Sequence, residues 1–132
     1  MKTIVFMLLI LSVHNVSGEE LTAELVYDCC VRKNLKFPEI VTAQSVLETG
    51  WYNSYVCKSK NNIFGIKGKD GYKKFKHWKE GVVYYRERIQ NRYRSGEDYY
   101  GFLSRIGYAT DTLYIQKVKL IVNKYSKHWV DG

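Results

Sequence analysis

The stretch Pro38-Glu39-Ile40-Val41-Thr42-Ala43-Gln44-Ser45-Val46-Leu47-Glu48-Thr49-Gly50-Trp51 decides how this chain is read. Proline fits the first turn of a helix, where its missing N–H costs nothing, and a glycine just past the last turn supplies a stop. Between them Ile40, Ala43 and Leu47 fall on one face. The spacing predicts a central helix from Pro38 to Gly50 with Glu48 on its final turn, beside Trp51. A carboxyl there feels the negative end of the helix macrodipole, and a neighbouring indole would displace water; both disfavour the ionised form. A protonated carboxyl at neutral pH is what a general acid needs to protonate a leaving glycosidic oxygen. A solvated glutamate without a role is the competing reading, and nothing inside this helix separates the two.

Working outward toward the N-terminus, Leu21, Leu25 and Cys29 recur at i, i+4 and i+8 with Val26 and Cys30 beside them, which predicts a first helix from about Glu20 to Asn34. Before it, Lys2 precedes an apolar run from Ile4 to Val13 that is too short to span a bilayer. With the small-residue pattern Val16-Ser17-Gly18, this reads as a signal peptide over residues 1–18, leaving a single domain over 19–132. The expected localisation is secreted or periplasmic, without stable membrane insertion after cleavage. A domain of that length buries about 65% of the surface its unfolded chain exposes, enough for a real core.

The formal net charge of +8 concentrates anionic polymers near the surface and is compatible with cell wall, lipopolysaccharide or nucleic acid. No nucleic-acid-binding motif accompanies it, so no nucleic-acid partner is expected. Cys29, Cys30 and Cys57 are an odd number for an exported chain. Neighbouring helical positions point about 100° apart, so only Cys29 or Cys30 can face Cys57. A bridge would close a loop of nearly thirty residues and stabilise by roughly 3 to 4 kcal/mol; three buried thiols are the other reading. Scattered histidines and the lack of a C-x-x-C pair give no metal site, and no cofactor is expected.

Toward the C-terminus the period changes. Ile63-Phe64-Gly65-Ile66 and Tyr72-Lys73-Lys74-Phe75 flank Lys69-Asp70-Gly71, and Asp-Gly is a strong hairpin signal. Two short strands should pack as a flap on a helical body. Val82, Tyr85, Ile89 and Tyr93 mark a helix from about Lys79 to Arg92; Tyr99, Phe102, Leu103 and Ile106 mark a short one ending at Gly107. Asp111 can cap a last helix whose stripe runs Tyr114, Val118, Ile121, Val122, Tyr125. The expected fold class is α+β, mainly α, with about five helices and a small β-hairpin.

The helix ending Gln44 to Trp51, followed ten residues later by Asn61-Asn62-Ile63-Phe64-Gly65-Ile66-Lys67-Gly68, resembles the glucosaminidase domain of bacterial peptidoglycan hydrolases, glycoside hydrolase family 73. The resemblance continues through Phe75-Lys76-His77-Trp78, Tyr85, Tyr99, Tyr108-Ala109-Thr110-Asp111, Tyr114 and Lys117 into Ile121 to Tyr125. It implies a lysozyme-like helical fold and an endo-β-N-acetylglucosaminidase acting on peptidoglycan glycan strands. It also places Glu48 on the family's catalytic acid and Tyr108 on a cleft tyrosine that orients the acetamido group or a water. A packed aromatic against the last helix is the alternative for Tyr108.

Glycosidases usually use two carboxylates. Larger relatives carry the second on a longer β-lobe, whereas here only Lys69 to Lys74 lie between Gly68 and Phe75, with Asp70 the sole acid. Asp70 is the candidate base, though an Asp-Gly turn explains it equally. Glu80 is a further candidate whose place at a helix start suits dipole stabilisation. Assistance by the substrate's own N-acetyl group would let Glu48 act alone, with Tyr108 orienting the acetamide.

The candidate substrate contacts are Trp51, Asn61, Asn62, Phe64, Tyr72 and Trp78. Aromatic rings can stack on sugars or pack in the core, Asn61 and Asn62 can brace the loop or bond sugar, and Phe64 suits a core position. Lys67, Lys69, Lys73, Lys74 and Lys76 can grip an anionic polymer or simply guard a strand edge. The rival readings are a lytic transglycosylase on the same substrate and a non-catalytic wall-binding or nucleic-acid-binding module. The protein is expected to be a monomer.

Overall fold

A computed structural model describes residues 20–131; the expected signal peptide over 1–18 lies outside the described residues. Among the described residues the chain forms α1 (Ala23–Arg32), α2 (Pro38–Thr49), α3 (Tyr55–Lys60), β1 (Lys67–Gly68), β2 (Gly71–Tyr72), α4 (Trp78–Arg88), a 3₁₀ turn (Gln90–Arg92), α5 (Tyr99–Arg105) and α6 (Tyr114–Asp131). The mainly helical α+β class is as expected. None of these helices is long and apolar enough to cross a membrane.

The central helix has the limits its sequence dictates. Pro38 opens α2, and Gly50 closes it in the left-handed region at φ 56°, its N–H bonded to the Val46 carbonyl. The burial exceeds what an apolar stripe implies, because every residue from Ile40 to Val46 is buried, Thr42, Gln44 and Ser45 included. A helix buried all round is packed by neighbours on every side; α1 and α6 are the helices that embrace α2. The hydroxyl of Ser45 is satisfied by the Thr42 carbonyl and by Tyr52 Oη, each at 2.7 Å.

The outer helices start on polar caps. Thr22 Oγ1 accepts from Leu25 N, and Asp98 Oδ2 accepts from Gly101 N. His77 and Glu80 form a reciprocal capping box at the head of α4. The carboxylate of Glu80 thus bonds the backbone N–H groups of Lys76 and His77, which gives it a structural task instead of the role of second acid. Along α6, Tyr114, Val118 and Trp129 are buried, with Ile121, Val122 and Tyr125 half-buried between them.

Three expectations need correction. A sixth helix, α3, went unread: it buries only Cys57, so it has no apolar stripe, and its one sequence signal is the Ser54 cap on Cys57 N. The helix expected from Lys79 to Arg92 stops at Arg88 and tightens into the 3₁₀ turn. The hairpin is two residues per strand, pairing Lys67 with Tyr72 and Gly68 with Gly71 around Lys69-Asp70. Ile63 and Phe64 are not strand residues; they turn into the core at 0% and 2% exposure. The three cysteines are buried free thiols, and burial pushes the Cys30 thiol up to about 12.

Candidate active site

Two segments converge on the carboxyl of Glu48 because of backbone conformations that few residues accept. The turn Asn62 to Ile66 is tied by the buried Asn62 side chain: its Oδ1 accepts from Ile66 N at 2.9 Å, and its Nδ2 donates to the carbonyls of Ile66 and Lys73, both at 2.8 Å. Gly65 sits in that turn at φ 62°, where a Cβ would lie 3.4 Å from Glu48 Oε2. Only glycine adopts this conformation without strain and also lets backbone pass so close to the acid.

These segments wall an open cleft of about 670 Å³. Its lining includes Glu48, Thr49, Asn62, Phe64 and Gly65, Lys67 and Tyr72 from the hairpin, Arg92 from the 3₁₀ turn, and Gly107 to Asp111. The cleft's volume suits saccharide units. Water reaches Glu48 along the cleft, yet the surrounding protein desolvates its carboxyl and raises its pKa, with the Tyr114 hydroxyl acting in the opposite sense. The macrodipole of α2 acts in the same direction as desolvation.

Tyr108 stands in the cleft with its ring stacked on Tyr114 at 5.6 Å, and burial holds its phenol well above the ordinary range. It therefore offers a neutral O–H. Asp111 is the other cleft carboxylate. Its Oδ1 accepts from Leu113 N, steadying the turn into α6, and its Oδ2 pairs with Lys117 at 2.8 Å. Those contacts lower its pKa, so it ionises at a lower pH than Glu48.

The sequence-predicted residues divide. Glu48, Tyr108, Asn62, Phe64 and Tyr72 line the cleft. Phe64 is buried against Tyr85 and Asn62 is consumed in bracing, so of these last three only Tyr72, 41% exposed with Lys67 Nζ over its ring, is open to a ligand. Trp51, Asn61 and Trp78 line a separate cavity of about 220 Å³. Trp51 packs edge-on against Tyr125 at 4.7 Å, so it does not desolvate Glu48: residues 50–52 all have positive φ and swing the indole away. Asn61 donates to the carbonyls of Phe75 and Lys76. Asp70 is exposed at the hairpin turn and is not part of the cleft lining, because the short hairpin carries it to a solvent-facing tip.

The influence of Tyr114 on Glu48 was missed. Tyr114 reads as one member of a helical stripe. One consequence of the crowding at Gly65 is testable: Gly65→Ala should lose about 1 to 2 kcal/mol from left-handed strain and displace Glu48. Thermal melts should show the loss.

The glucosaminidase family model, described as mannosyl-glycoprotein endo-β-N-acetylglucosaminidase, matches residues 26–127. The fold is similar to that of the catalytic domain of the autolysin Auto from Listeria monocytogenes, with a TM-score of 0.54 and 22% identity over 85% of this chain and 90% of that one. No curated protein matches the chain.

Proposed function

We propose, from the premise that this chain belongs to the glucosaminidase family, that it is a peptidoglycan hydrolase cleaving the glycan strand after N-acetylglucosamine, with Glu48 as general acid. The observation that carries the reading is the Glu48 carboxyl, held in an open cleft of about 670 Å³ with its pKa raised by desolvation. The similarity in fold to an autolysin catalytic domain supports peptidoglycan as the substrate.

The chemistry follows from what else lines the cleft. Glu48 protonates the glycosidic oxygen as the C1–O bond breaks. Asp70 is outside the cleft lining and Asp111 is held by Lys117, so the nucleophile in this reading is the carbonyl oxygen of the substrate's own acetamido group. It bonds to C1 and forms a cyclic oxazolinium ion. Tyr108 orients the acetamide with its neutral hydroxyl. The Glu48 carboxylate then takes a proton from water, which opens the ring at C1 and leaves a reducing N-acetylglucosamine end. Tyr72 offers a stacking face at the cleft wall.

Mass spectrometry of digested cell walls tests the reaction. Reducing N-acetylglucosamine ends are expected, while anhydromuramyl ends would identify a lytic transglycosylase. Binding without cleavage would identify a wall-binding module. The pH profile adds a further expectation: Glu48 works protonated, so kcat/KM should fall as pH rises through its raised pKa. An alkaline limb no higher than an ordinary carboxylate's would contradict the assignment.

A further inference from the structure

The cavity of about 220 Å³ apart from the cleft is lined by both of the tryptophans that are not buried, Trp51 and Trp78. The third, Trp129, is packed in the core. Neighbours hold the two indoles in place. Trp51, 45% exposed, rests edge-on against Tyr125 at 4.7 Å. Trp78 opens α4 with the His77 ring at 5.5 Å and Lys79 Nζ 5.7 Å from its ring centroid. Backbone conformation singles out the same place. Five non-glycine residues have positive φ among the described residues, and three of them, Trp51, Tyr52 and Asn61, line this cavity. Left-handed backbone costs such residues stability and persists only where the surroundings hold it. Here Tyr52 anchors the turn through its hydroxyl, bonded to Ser45 Oγ, and its N–H, which donates to Thr49 Oγ1.

The lining fits a sugar. Buried Tyr52 and Cys57 supply apolar surface, while Glu20 and Lys58, its only charged side chains, carry opposite signs, so neither an anion nor a cation is selected. Asn61 spends both amide protons on the Phe75 and Lys76 carbonyls, and Asn53 donates to the Gly50 carbonyl at 3.3 Å. Each keeps its Oδ1 as an acceptor without a partner among the described residues. Flat apolar rings combined with amide acceptors match a pyranose unit, whose C–H face stacks on indole and whose hydroxyl and N-acetyl N–H groups donate at its edge. The volume, about a third of the cleft's, suits a short piece of glycan.

We propose that this cavity is a second glycan-binding site, in which Trp51 and Trp78 stack on N-acetylated sugar units of the polymer that the cleft cuts. The identity of that polymer rests on the proposed function; the sugar class rests on the cavity itself. One stretch of chain borders both places: Thr49, Ser54 and Val56 line the cleft, and Trp51, Tyr52, Asn53 and Cys57 line the cavity. Glycan held at the cavity keeps neighbouring strands at high local concentration near Glu48, which raises avidity for the polymer without a new contact in the cleft.

The test uses the Glu48→Gln protein, so that binding is read without cleavage. N,N′-diacetylchitobiose is titrated while the three indole N–H signals are followed by ¹⁵N NMR, assigned by their loss in Trp51→Phe and Trp78→Phe. The Trp51 and Trp78 signals should shift saturably, and the Trp129 signal should stay. Trp51→Ala and Trp78→Ala, each added to Glu48→Gln, should bind purified peptidoglycan roughly two- to tenfold more weakly, the scale of one aromatic contact. If an alanine variant does not fold, the indole titration decides alone. Trp51 and Trp78 signals that stay in place, whether or not the cleft amides of Gly65 and Gly107 respond, would overturn the proposal. So would indoles that respond only to a glycan-free wall peptide, or wall binding undiminished in both folded alanine variants. Should Glu48→Gln still cleave cell walls, the assignment of the acid fails, while the indole titration still decides whether the cavity takes sugar.

Discussion

Glu48→Gln should reduce the release of reducing ends from purified peptidoglycan by about 10²- to 10⁴-fold, the usual contribution of a positioned general acid. The amide keeps the shape of the side chain and removes the proton that the leaving oxygen needs. Folding should not suffer. Glu48 is open to solvent, and surface substitutions usually change stability by less than about 0.5 kcal/mol. The direction of even that small effect is set by the raised pKa of Glu48. The folded state holds this proton more tightly than the unfolded chain, so the carboxyl favours folding at low pH and loses that contribution as pH rises through the folded pKa. Glutamine has no such penalty at neutral pH, and the variant should melt at the same temperature or slightly higher, with solvent screening keeping the gain small. Undiminished cleavage in a variant with wild-type melting would remove Glu48 from the mechanism.

Asn62→Ala should be the most damaging single change to the site's frame. Asn62 is 1% exposed and supplies three hydrogen bonds to Ile66 and Lys73. At about 1 kcal/mol per bond the loss is roughly 3 kcal/mol, before any further cost of leaving those groups unpaired. A fall in Tm of roughly 10 °C follows for a domain of this size. Activity should drop as well, because the turn that these bonds close carries Gly65 against Glu48 and leads into the strand that bears Lys67. Asn61→Ala provides the contrast. Its two bonds, to Phe75 and Lys76, are partly open to water, so solvent can replace them, and the melt should fall by less. Equal melting of the two variants would mean that the turn is held by packing instead of by the Asn62 amide.

The parts of the fold that were legible in the sequence are those where a local rule acts alone. Pro38 and Gly50 bound α2 because ring closure and left-handed backbone belong to those residues, whatever surrounds them. The Tyr114 stripe located α6 and the Asp70-Gly71 pair located the hairpin. Helix α3 was illegible because one buried cysteine makes no period. The strands expected at Ile63 and Phe64 failed for a related reason: a short apolar run is compatible with a strand or with a core turn, and bracing by Asn62 decided for the turn.

In the candidate site the residue types and their order came from the sequence, whereas their grouping depended on the fold. Trp51 is three positions from Glu48, yet positive φ at residues 50–52 sends its ring to Tyr125 and leaves it outside the cleft. Tyr114 is far from Glu48 along the chain, yet the packing of α6 on α2 brings its hydroxyl to Gln44, one turn before Glu48. The sequence by itself determined the helix that carries Glu48, the glycine turn that faces it and the family to which both point, since these follow from backbone preferences and motif spacing. Only the tertiary structure decided which groups surround the acid. A hydrogen bond between Gln44 and Tyr114 spans 70 positions, and no local preference encodes a contact that exists only once the helices have packed.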